Sequence, residues 1–305
     1  LTIIVITIFI MNDLHPNPIL GIIGGSGMYD IAGLDNTKWH QINSPFGDTS
    51  DHLLFGNIDG QRIVFLPRHG RGHHLSPSDI NYRANIDALK RTGVTDILSL
   101  SAVGSFREDL HPGTFVIVAQ FIDRTFARQK SFFGEGMVAH VSMANPVNER
   151  LGDWCEDACK KEKIPMMRGG TYLAMEGPQF STKAESNMYR SWGCDVIGMT
   201  NMPEAKLARE AEIPYCTIAM VTDYDCWHPH FGAVNVENIG QVLRENAEKG
   251  KALIKCIAKK MQGRPTICPS GDDNALENAL ITAKDARHPE LLQKLDAITG
   301  RVLNK

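Results

Sequence analysis

The stretch Ile213-Pro214-Tyr215-Cys216-Thr217-Ile218-Ala219-Met220-Val221, followed by Thr222-Asp223-Tyr224-Asp225-Cys226-Trp227, decides how this chain reads. A nearly continuous apolar run of that length, with Thr217 inside it, predicts a strand buried on both faces. It ends abruptly in two carboxylates spaced i, i+2 with aromatics interleaved. If the chain stays extended, the period of two puts Asp223 and Asp225 on the same side. Ligands gather at the carboxyl ends of strands in open α/β sheets. Two acids there repel each other and resist desolvation, so one of them is expected to hold a proton near neutral pH and to donate it. The competing reading is a helix N-cap Asp followed by a surface Asp.

Upstream, the same pattern repeats. Apolar strands are expected at 19–23, 62–66, 96–100, 116–122, 171–175 and 195–199. Helices are expected after Ser78 or Asp79 as N-cap and at 147–162, 182–191, 203–211 and 234–261. Strands alternating with helices predict an α/β fold, a single domain with a mixed, largely parallel central sheet flanked by helices. The catalytic domain is expected over 19–261, after an N-terminal extension, 1–18. Residues 262–305 open with Gly263, Pro265 and Pro269 and are expected to form a polar helical appendage. Residues 1–10 are apolar without a basic leader and too few to span a bilayer, and Met11 reads as the natural start.

Composition narrows the function classes. At 305 residues, with 43% hydrophobic and 22% charged side chains, the chain is an ordinary soluble globular protein. A formal net charge of -3 gives no case for nucleic acid or an anionic membrane. Its 7 cysteines are scattered, without a C-x-x-C pair, and predict a reduced, cytoplasmic protein rather than a disulfide scaffold or zinc site.

Several strand ends carry anion-binding chemistry. Gly24-Gly25-Ser26-Gly27 reads either as a phosphate-binding turn, with the Ser26 hydroxyl as a donor, or as a tight strand turn. It matches neither nucleotide-loop pattern, so no nucleotide cofactor is expected. Arg68 and His69 offer a fork donor and a second donor suited to a small anion. Ser101 and Thr200 end their strands similarly, and Met199 lies beside Thr200. Glu176 could bind sugar hydroxyls or cap a helix. His73, His74 and Asp79 lack metal-ligand spacing, and a solvated loop is expected there.

Taken together, Gly24-Gly25-Ser26-Gly27, Pro67-Arg68-His69-Gly70, Asn81-Tyr82-Arg83-Ala84-Asn85, Glu176-Gly177-Pro178-Gln179-Phe180, Met199-Thr200-Asn201-Met202-Pro203-Glu204 and Thr222-Asp223-Tyr224-Asp225-Cys226-Trp227 resemble the trimeric purine nucleoside phosphorylases, in one collinear order over about 19–260. The likeness is strongest to the branch acting on 5′-methylthioadenosine. It implies a pentosyltransferase in purine and methionine salvage: inorganic phosphate attacks the anomeric carbon, giving adenine and 5-methylthioribose 1-phosphate. Adenosine, 5′-methylthioinosine, inosine and guanosine are the alternative substrates. The implied phosphate ligands are Ser26, Arg68, His69, Ser101, Ala102 through its backbone, and Thr200. Met199 would lie against the ribose, Phe180 and Ser181 would line the base pocket, and Asp223 and Asp225 would face N7 and the 6-amino group. Val236 and Ile239 would form the 5′-alkylthio pocket, with His140 lent by a neighbouring subunit of a homotrimer or dimer of trimers. Gly198 and Gly240 depart from residues seen in relatives, Asn and a bulkier apolar residue respectively. Phosphate would be a co-substrate, with no metal or organic cofactor. Two acceptors facing the base favour a 6-amino over a 6-oxo purine, because a 6-oxo group would leave acceptors unpaired.

Overall fold

The sheet is organised by one long strand. In a computed structural model describing residues 15–25, 28, 33–229 and 236–303, strand β5 spans Asp96–Ser105 and is buried along nearly its whole length. Its first half runs parallel to β1 (Leu20–Gly24) on one edge, and most of its length runs parallel to β11 (Tyr215–Asp223) on the other. Its last residues pair antiparallel with β10 (Val196–Gly198). Strand β1 continues parallel to β4 (Gln61–Pro67), which turns antiparallel into β3 (Leu53–Ile58) and then β2 (Asp35–His40). Beyond β10 the sheet runs parallel through β9 (Thr171–Ala174) to β7 (Gln120–Asp123), while β11 leads to β6 (Phe115–Ile117) and β8 (Met166–Arg168).

Helices cover both faces, as the doubly apolar strands require. Successive residues of β11 alternate: Cys216, Ile218 and Met220 face a cluster with α2 (Glu149–Lys161) and α5 (Val236–Met261). Tyr215, Ala219 and Val221 face a second cluster with α1 (Tyr82–Arg91) and α4 (Asn201–Glu210). A short helix, α3 (Lys183–Ser191), closes the third side, held at its start by a capping box between Thr182 and Glu185.

The expected architecture is present, with local differences. Helix α1 begins at Tyr82 rather than after Ser78 or Asp79, because Asn81 is the cap: its Oδ1 accepts from the Ala84 amide at 3.1 Å. The expected strand 116–122 is two strands, β6 and β7, which pair with different neighbours. Strands β2, β3 and β8 were not expected: β2 is polar and largely exposed, and β8 has three residues, so neither carries an apolar period. The segment after 262 holds two short helices, α6 (Pro289–Lys294) and α7 (Asp296–Leu303). It packs into the domain: Leu276, Leu295 and Ile298 join the α1–α4 core, and Arg264 Nε donates to Asp96 at 2.6 Å.

Candidate active site

At the carboxyl ends of β1, β4, β5, β10 and β11 lies a cavity of about 790 Å³. One end is cationic. Arg68 follows β4 and is 1% exposed; its Nε donates to Glu204 Oε2 at 2.8 Å, Nη2 to Ser99 Oγ at 2.6 Å and Glu204 Oε1 at 3.2 Å, and Nη1 to the Leu100 carbonyl at 3.0 Å. Four of its five N–H groups are thereby held inside the protein, leaving one on Nη1. A Cβ on Gly25 would stand 3.2 Å from Nη1, so the glycine keeps that approach open. Burial alone would lower the Arg68 pKa, but the Glu204 carboxylate outweighs it and holds the guanidinium firmly charged.

His69 behaves differently from the donor expected. Burial pulls its pKa down to about 4, helped by the charge of Arg68 and opposed by the bond of Nδ1 to the Leu75 carbonyl at 2.9 Å. The ring is therefore neutral at pH 7, with the proton assigned to Nδ1 by that carbonyl and Nε2 left as an acceptor. In this neutral state His69 Nε2 accepts a hydrogen bond from an anion that carries a proton. Thr200 precedes α4, yet its side chain makes no capping bond, so the buried hydroxyl stays available to the cavity it lines. Ser101 Oγ stands 3.2 Å from the Tyr172 hydroxyl, and Ala102 continues the same wall.

The other end is acidic. Asp223 closes β11, with Oδ2 accepting from Thr222 Oγ1 at 2.7 Å and Oδ1 from the Asp225 amide at 2.8 Å. Burial raises its pKa to about 6, against the pull of those two bonds and with a further push from Asp225. The chain does not stay extended here: Asp225 has φ 50° in a turn, so the two acids meet through an Asx-type turn and not by strand periodicity. Both line the cavity, and burial also raises the Asp225 pKa. A Cβ on Gly104 of β5 would stand 2.9 Å from Asp223 Oδ1 and 3.3 Å from Asp225 Cβ, so the acids pack directly on that glycine.

Met199, Phe180 and Ile239 line the span between the two ends, with Phe180 44% exposed at the mouth. Gly198 also lines it, and a side chain there would collide with Tyr172 Oη at 1.9 Å. Gly240 is the opposite case, with only Arg244 Nη1 near, at 3.8 Å. Ser181 does not line this cavity; its hydroxyl faces Met175 Sδ at 3.7 Å. His140 is exposed, its amide bonded to Ala279, and it does not line this cavity. Ser26 and the side chain of Val236 lie outside the described residues.

Sequence reasoning missed the supports. Glu204, Ser99 and Tyr172 hold the anion end as above. Arg128, from the irregular 126–145 stretch, donates to the carbonyls of Met199, Met202 and Glu176 and to the Tyr82 hydroxyl. A glutamate in a quoted motif signalled Glu204; nothing in the sequence around Arg128 marks it. Among the described residues, no three His, Cys, Asp or Glu side chains stand within reach of one metal ion, and no helix is long and apolar enough to cross a membrane.

Comparisons with known proteins agree with this geometry. The model of the phosphorylase superfamily matches residues 19–259. The S-methyl-5′-thioadenosine phosphorylase of Rhodospirillum rubrum is 63% identical over 293 residues, covering 96% of this chain and 100% of the relative. That of Bradyrhizobium diazoefficiens is 62% identical over 285 residues, covering 93% and 98%. Among solved structures, a methylthioadenosine phosphorylase sourced from an antarctic soil metagenomic library superposes with TM-score 0.85 at 44% identity, covering 93% of this chain and 99% of that one. The Schistosoma mansoni methylthioadenosine phosphorylase in complex with adenine gives TM-score 0.77 at 36% identity, covering 80% and 91%.

Proposed function

The chain belongs to the phosphorylase superfamily, and from that premise we propose that it cleaves 5′-methylthioadenosine with inorganic phosphate. A phosphate oxygen bonds to C1′ while the C1′–N9 bond breaks, and the purine leaves with a proton on N7. The products are adenine and 5-methylthioribose 1-phosphate, which return to purine and methionine salvage. Phosphate sits at the Arg68 end, against Ser101, the Ala102 backbone, Thr200 and Ser26, and donates its own proton to His69 Nε2. Positive charge developing on the sugar is stabilised by that anion. Asp223 is the acid for N7, and Asp225 accepts from the 6-amino group, so a 6-oxo base would leave two acceptors opposed. Met199 packs on the ribose, Phe180 and Ser181 belong to the base end, and Val236 and Ile239 take the methylthio group.

The chain needs no metal or organic cofactor in this reading. It works in the cytoplasm as a homotrimer, or dimer of trimers, in which His140 serves the neighbouring site. The observation carrying the whole reading is the pairing, in one cavity, of a charge-locked arginine with a carboxyl group that titrates at about 6. The test is release of the free purine base from 5′-methylthioadenosine, adenosine, inosine and 5′-methylthioinosine (adenine from the first two, hypoxanthine from the others) with and without phosphate. Turnover of the 6-aminopurine nucleosides only with phosphate is expected; turnover in its absence, or preference for inosine, overturns the assignment.

A further inference from the structure

Among the described residues, Arg83 has no counterion. Arg68, Arg128, Arg209 and Arg264 are the most buried arginines, and each has a carboxylate within 4 Å. Arg83 is half-buried, and among the described residues it has neither an ion pair nor a hydrogen bond to its guanidinium. Its Nε is shielded from solvent with no partner. Burial lowers its pKa, with no carboxylate acting against it. The ring of Phe46 lies 5.4 Å from the guanidinium carbon and favours a cation only modestly.

Arg83 lines a polar cavity of about 230 Å³, separate from the substrate cavity, together with Ser78, Asn81, Tyr82, Arg128 and Gln129. The Arg128 donors are taken up by carbonyls and hydroxyls and its charge is paired with Glu176 at 3.5 Å, so it does not compete with Arg83 for a ligand. Glu176, the carboxylate near Arg128, is occupied by Ser78 and by the amides of Phe126 and Ala127. The cavity therefore has positive charge, unused forked donors and no acid on its wall. A planar fork of this kind seats a carboxylate or phosphate group by two parallel bonds.

We propose that this cavity is a binding site for one oxyanion, a phosphate or carboxylate group held by Arg83 with Arg128 behind it. Two sources share that chemistry: inorganic phosphate from solution, or a carboxylate side chain of a second copy of this chain. Because Arg128 also holds the carbonyls of Met199 and Glu176, the seated charge lies one side chain from the substrate cavity.

The full chain and its Arg83→Gln and Arg83→Lys variants distinguish the sources. Calorimetric titration with inorganic phosphate counts anions per chain, and light scattering over a dilution series gives the self-association constant. A second phosphate per chain that the glutamine variant loses establishes the dissolved anion. Equal phosphate counts, with association at least tenfold weaker in the variant, establish the carboxylate of a second copy. If neither the count nor the association changes, the proposal is wrong. Should the glutamine variant fail to fold, the lysine variant carries the same comparison, since a point charge does not reproduce the forked seat and should weaken either readout several-fold. Neither measurement depends on turnover, so the outcome is separate from that of the substrate assignment.

Discussion

Replacing Asp223 by Asn removes the transferable proton and keeps the shape: the amide oxygen still accepts from the Asp225 amide, and Nδ2, in place of Oδ2, donates to the Thr222 hydroxyl oxygen. General acid catalysis of this kind contributes about 10²–10⁴-fold, so kcat on 5′-methylthioadenosine should fall by that factor while phosphate binding at Arg68 persists. The pH profile gives the sharper signature. With a folded-state value of about 6, the proton is present below pH 6 and lost above it, so kcat/KM should decline about tenfold per unit on the alkaline side. The Asn variant should lack that limb. The same substitution should raise stability at neutral pH. The carboxyl pKa is raised from 3.8 to about 6, so the wild-type protein loses stability as pH rises from about 4 to about 6 and stays lower above it. That difference corresponds to at most about 3 kcal/mol, which the neutral amide avoids. Melting followed by circular dichroism at pH 4 and pH 7.5, beside a continuous adenine-release assay from pH 5 to 9, measures both effects. A variant with kcat within threefold of wild type, or one that keeps the alkaline limb, would refute Asp223 as the acid.

Three other perturbations probe the anion end. Glu204→Gln leaves the Arg68 guanidinium buried without its counterion and should destabilise the fold by about 3–5 kcal/mol, read from urea unfolding. Thr200→Ala should raise the KM for phosphate several-fold while leaving stability within about 0.5 kcal/mol, because the hydroxyl caps nothing; a larger loss in the melt would place it in the helix instead. Gly198→Ala drives Cβ into Tyr172 Oη and, through Tyr172, into Ser101, so a cost of about 1–3 kcal/mol is expected together with weaker phosphate binding.

The parts of this molecule that were legible in its sequence are those with an apolar period. The long runs that became β1, β4, β5 and β11 announce themselves because both faces are buried, and the polar residues that stop them mark the cavity. Strand β2, Asp35–His40, carries no such signal, since its exposed side chains contribute nothing to a core and its pairing with β3 is a matter of backbone bonds. At the site, Arg68 and the acid pair were legible as charges where a buried strand stops. The geometry joining Asp223 to Asp225 was not: strand periodicity assumed an extended chain, whereas a positive φ at Asp225 turns it. The tautomer of His69 was equally hidden, because it depends on Leu75, six residues away around a loop. Arg128 is invisible for the same reason, as its partners come from three separate segments of the chain.

Strand β5 passes under both halves of the chemistry, with Ser101 on the wall of the anion end and Gly104 beneath the acids. Three residues of extended backbone span about 10 Å, and a hydrogen-bonded strand with neighbours on both edges can neither stretch nor slip. The strand therefore works as a ruler. The distance between the arginine end of the cavity and its acid pair is fixed by the backbone and is indifferent to insertions in surrounding loops. Substrate range in this architecture can be altered from the α5 side of the cavity, at Ile239 and Gly240, without disturbing the reacting distance.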